Sequence, residues 1–94
     1  MANEIKRLYT GVINTTVATL KDLTNGMVAK TIILYNKTEV PTVVTLNADG
    51  CDFTINVPAL DTTVFESTLT CNILTGVSTG DVSCHISGVQ LGVV

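Results

Sequence analysis

More than a third of the chain is β-branched: 16 Thr, 13 Val and 7 Ile stand among its 94 residues. Two heavy atoms on Cβ stiffen χ1 and crowd a helical turn, whereas the same shape packs well on a pleated surface. Windows rich in Ala, Glu and Lys with a 3.6-residue apolar period are absent, which disfavours a helical fold. The expected class is all-β.

The clearest strand is Cys51 to Val57. There Cys51, Phe53, Ile55 and Val57 alternate with Asp52, Thr54 and Asn56, and Pro58, which has no N–H for a ladder, ends the run. Before it, Val44, Leu46 and Ala48 alternate with Val43, Thr45 and Asn47. Asp49-Gly50 between the two runs fits a type I′ hairpin turn, whose central residues both need positive φ. Further strands are expected at Leu8 to Ile13, Thr15 to Leu20, Val28 to Asn36 and Thr62 to Leu69, with a short one at Thr70 to Leu74. From Asp81 a last run places Val82, Cys84 and Ile86 opposite Ser83, His85 and Ser87. Its phase changes after Gly88, which predicts a bulge or bend. Turn signals stand at Thr24-Asn25-Gly26, Asn36 to Glu39, Pro58 to Asp61 and Ser78 to Asp81. Seven or eight short antiparallel strands at this spacing predict a single-domain β-sandwich, jelly-roll-like, with residues 1–14 as an N-terminal arm and first strand and 15–94 as the sandwich.

Charged residues make up 14% of the chain, against about 25% in ordinary soluble domains. So weakly charged a surface is best explained if copies of the chain or a larger partner cover part of it. With net charge −3, five Lys and Arg and no Trp, the chain has neither a phosphate-binding patch nor a stacking platform, so no nucleic-acid partner is expected. No run reaches the ~18 apolar residues of a membrane-spanning helix, and the basic residues near Met1 are not followed by the apolar core of a signal peptide. The expectation is a chain made in a cytoplasm, with no membrane partner. On that basis the sequons at Asn14 and Asn36 are chance matches.

Cys51, Cys71, Cys84 and His85 together have the composition of a zinc set. Their spacing lacks the close ligand pairs of a zinc knuckle, and the adjacent Cys84 and His85 must face opposite ways on a strand. Three buried free thiols and an exposed or interface His85 are expected instead. The same geometry argues against a Cys-His nucleophile. Asp49 and Asp52 lack the run of oxygen ligands a calcium loop needs, and phosphate-binding and dinucleotide motifs are missing. No catalytic, metal or cofactor residue is assigned, and no enzyme is expected. Tyr9, Tyr35, Phe53 and Phe65 are assigned to core or sheet-edge packing.

With these strands and turns in place, the chain resembles a small β-sandwich module of virion accessory proteins in tailed bacteriophages. The resemblance runs through "TTVATL" (Thr15 to Leu20), "AKTIILYN" (Ala29 to Asn36), "VTLNADG" (Val44 to Gly50), "VPALDTTVF" (Val57 to Phe65) and "TGDVSCHISGVQL" (Thr79 to Leu91). It implies a structural protein of the virion: a capsid decoration protein first, a neck or tail accessory protein next. The implied partners are further copies of the chain, often as a homotrimer, and the major capsid or other virion proteins. Ile5, Lys6, Arg7 and Leu8, in an arm unpaired in the monomer, are the residues expected to touch the shell. A carbohydrate- or receptor-binding sandwich module is the alternative, weakened by the absence of Trp.

Overall fold

The computed structural model describes residues 2–93, with side chains from 5 to 92. They form six antiparallel strands: β1 (Ala2–Ile13), β2 (Ala18–Tyr35), β3 (Thr42–Ala48), β4 (Cys51–Val57), β5 (Thr62–Ser78) and β6 (Val82–Val93). All belong to one sheet in the order β1-β6-β2-β5-β3-β4. Six strands replace the seven or eight expected because two anticipated breaks lie inside continuous strands. The Thr24-Asn25-Gly26 signal is an excursion within β2, between the pairs Asp22↔Ile73 and Met27↔Cys71, and Gly26 has a φ of 89°. The side-chain amide of Asn72 donates to the carbonyls of Leu23 at 3.2 Å and Thr24 at 2.8 Å. The strand therefore kinks without leaving those carbonyls unpaired.

The two long strands bend the sheet. One half of β2, from Met27 to Tyr35, lies between β6 and the first half of β5. The second half of β5 lies between the start of β2 and β3. Strands distant in the sheet order then meet: Ser78 N–H donates to the Asn14 carbonyl at 2.8 Å, just past the end of β1. On the other side, Phe53 of β4 stacks on Phe65 of β5 at 5.8 Å, and the Thr63 hydroxyl donates to the Asn56 carbonyl. One core results, with Ile32, Leu34 and Ile86 from one half of the sheet and Val44, Leu46, Val57 and Leu74 from the other.

Single-residue phase changes let each strand keep its apolar side inward through the bend. In β2, Met27 and Ala29 are buried, then Ile32 and Leu34, and the step between them falls at Lys30, where the register slips against both β5 and β6. A second slip lies in β1 between Arg7 and Tyr9, across from Ser87 and Ile86. The predicted irregularity at Gly88 is thus real, but the extra residues sit on the strands flanking it. The N-terminal arm is not unpaired: β1 lies along β6 from Ala2 to Ile13.

Asn36 closes β2 as a fully buried side chain. Its amide donates to the Val40 carbonyl at 2.8 Å and to the Val57 carbonyl, and its oxygen accepts the Thr38 N–H and hydroxyl. With both ends of the amide engaged, this sequon has no free nitrogen to modify in the folded chain.

Two glycines separate conformational from steric demand. Gly50 has φ 94° with open space where a Cβ would stand, while a Cβ on Gly88 would lie 1.9 Å from the Val28 carbonyl oxygen. We predict that G50V lowers stability by about 1–2 kcal/mol, from its left-handed backbone alone. G88A should cost at least about 3 kcal/mol, because a neighbouring strand must move. Urea denaturation of both variants measures the difference.

Candidate functional site

The acidic corner "NADGCDF" is built for folding. Asp49, at φ 51°, and Gly50 form the turn between β3 and β4. The Asn47 side-chain oxygen accepts the Gly50 N–H at 2.9 Å, and its amide donates to Asp52 at 2.6 Å. The Asp49 carboxylate reaches across to β5. It accepts the N–H of Asn72 at 3.0 and 3.1 Å and of Ile73 at 2.9 Å, while its own N–H donates to the Ile73 carbonyl. The N–H donors freed where β5 faces the β2 excursion are therefore met by a carboxylate from another hairpin. Sequence reading placed Asp49 in the turn and missed this second role. We predict that D49N, which tolerates the same φ, destabilises the fold by about 1 kcal/mol or more through loss of the charged acceptor. D52N keeps an oxygen for Asn47 and should stay within about 0.5 kcal/mol by the same denaturation assay.

Cys71 and Cys84 are buried free thiols, but Cys51 is exposed, correcting the expectation of three buried ones. It begins the inward row of β4 yet lies at the hairpin corner, past the cover of the core. Cys84 faces inward and the adjacent His85 faces solvent, as their alternation requires. Among the described residues, no three His, Cys, Asp or Glu side chains gather in a group that could hold a metal.

Burial raises the Cys84 thiol from its ordinary 9.0 to about 12. Burial also raises Cys71, with the nearby Asp49 charge adding to it, and raises Tyr9, with Cys84 adding to it. The native state therefore holds protons that the unfolded chain releases. For Cys84, stability should be intact below about pH 9 and fall as pH climbs from 9 toward 12, by up to about 1.4 kcal/mol per pH unit. Denaturation midpoints across that range should show the fall, and C84A should make it shallower.

The four residues expected to contact a partner do not act as one group. Ile5 is 86% exposed and Arg7 is exposed, Lys6 is half-buried, and Leu8 is buried in the core. Leu8 is accordingly withdrawn from any contact surface.

The structure instead brings together an outward face four strands wide, across β1, β6, β2 and β5. Register defines its three rows. Arg7, Ser87, Thr31 and Glu66 make the first. Thr10, His85, Ile33 and Val64 make the second, and Val12, Ser83, Tyr35 and Thr62 the third. Val12, Ile33, Tyr35 and Val64 leave 47%, 37%, 40% and 54% of their surfaces in solvent. Tyr35 thus stands on a central strand's outer side, neither in the core nor at a sheet edge. Ser83 is short, so a groove of about 350 Å³ opens over it between Val12 and Tyr35. A second groove, about 390 Å³, follows the seam between β4 and β5, where Phe53, Phe65 and Leu69 meet the hydroxyls of Thr54, Ser67 and Thr68. The alternation of Ser83 and His85 against Val82 and Cys84 marks one strip of the outward face. Its width depends on β1 and β2 flanking β6, which no local signal encodes.

No family model, curated protein or solved structure matches the chain.

Proposed function

We propose that the chain is a structural protein of a tailed-phage virion, a capsid decoration protein that binds and stabilises the assembled shell as a homo-oligomer. The outward face carries the reading: four large apolar side chains stand in solvent on one side of a sheet, in a chain that is 14% charged. An apolar strip of this kind suits burial against protein. The sheet, doubled over its single core, is read as the jelly-roll-like sandwich that the resemblance implies. Ile5 and Arg7, exposed on β1, are the remaining candidates for contact with another chain, whether shell or second copy.

The mechanism is binding without a chemical step. A protein that engages only the folded, assembled shell stabilises it by mass action. Neck or tail accessory roles use the same physics at another site on the particle. Binding of a carbohydrate or receptor is the second reading, favoured by one observation: the seam groove pairs two stacked phenylalanines with three hydroxyl side chains.

Co-sedimentation of the purified protein with undecorated capsids from the same source tests the proposal. The expected result is saturable pelleting and a shell that withstands more heat when decorated. Shells left bare at every concentration overturn it, and glycan-array binding in their place supports the second reading.

A further inference from the structure

We propose that the outward face of β1, β6, β2 and β5 is a self-complementary interface that pairs two copies of this chain about a two-fold axis parallel to the strands. The inference rests on the homo-oligomer part of the reading above and names its surface. A two-fold lying between the copies along the strand direction exchanges the ends of every row. It lays β1 of one copy over β5 of the other, and β6 over β2. In the first row this sets Arg7 of each copy against Glu66 of the other. Both side chains are exposed, and neither forms an ion pair among the described residues. In the third row the same operation sets Tyr35 of each copy over Ser83 of the other. Ser83 is the floor of the 350 Å³ groove, which has room for a tyrosine ring.

One operation thus satisfies two independent requirements, a charge pair between the outer strands at one end of the face and a projection into a recess on the two middle strands at the other, each formed twice as an isologous contact demands. Aligned sheets pack face to face in this way, about 10 Å apart and about 30° from parallel. Four strands at about 4.8 Å and the five residues that the rows span on β6, β2 and β5, at about 3.3 Å each, give a footprint of roughly 320 Å² per copy. Two such footprints, enlarged by the side chains that stand on them, belong to the size of a weak, reversible association, so the charge pair and the tyrosine recess must supply its selectivity.

Sedimentation equilibrium of the purified full chain, without capsids, tests the pairing. The wild type should associate in even numbers. R7E alone or E66R alone sets like charges against each other twice, and should weaken pairing by about tenfold or more. An equimolar mixture of the two variants should restore it as a heterodimer, because each contact across the mixed pair again joins opposite charges. I33D, at an exposed position, should give a monomer with unchanged circular dichroism. Restoration in the mixture supports the pairing and excludes a folding defect as the cause of the weakening. A wild-type trimer, a wild-type monomer, or single variants that associate like the wild type would each overturn it. A monomeric wild type that still pellets with capsids would overturn the pairing and leave shell binding standing. Paired protein that ignores capsids would do the reverse.

Discussion

The shared kink of β2 and β5 is the constraint on which the rest depends. A sheet of six long strands left flat would expose one whole side of its apolar residues; bent, it covers that side with itself. Bending removes ladder bonds where the strands turn, and although the peptide groups there are exposed, side-chain partners hold them in one arrangement where water would not. Asn72 and Asp49 supply the missing partners at that point, the first through its amide to the carbonyls of β2, the second through its carboxylate to the N–H groups of β5. The carboxylate comes from the β3–β4 turn, so the hairpin and the kink hold each other in place.

The second constraint is phase. A strand crossing a bend must still send its apolar side chains inward, and a period of two permits this only if one residue is added. Lys30 in β2 and the slip beside Leu8 in β1 are such additions, grouped around Gly88, whose missing side chain admits the Val28 carbonyl. The same phase control produces the outward face. Ile33 and Tyr35 project into solvent because Ile32 and Leu34 are held in the core.

What the sequence made legible was local. The β3–β4 hairpin, its Asp49-Gly50 turn, the inward row of β6 and the irregularity near Gly88 each follow from a few adjacent residues. The Thr24-Asn25-Gly26 signal was misread because the residue that stabilises it as a kink, Asn72, lies 48 positions from Thr24. Cys51 was misplaced because alternation assigns a side without saying where the core ends. The outward face escaped notice for a related reason. Arg7 and Glu66 share a row only through β6 and β2, and pairing between distant segments leaves no mark in either one.

The register slip in β1 has a further consequence for how the chain avoids uncontrolled growth. A long edge strand in a β-branched, weakly charged protein is a template for adding strands without end, as in amyloid. β1 is such an edge, yet its ladder slips between Arg7 and Tyr9, and the exposed Arg7 charge stands on the outward face beside that slip. A strand arriving from another molecule finds no straight run of matching donors and acceptors there. Growth by strand addition is thereby hindered at the edge, and the surface left open to another protein is the outward face rather than the backbone of β1.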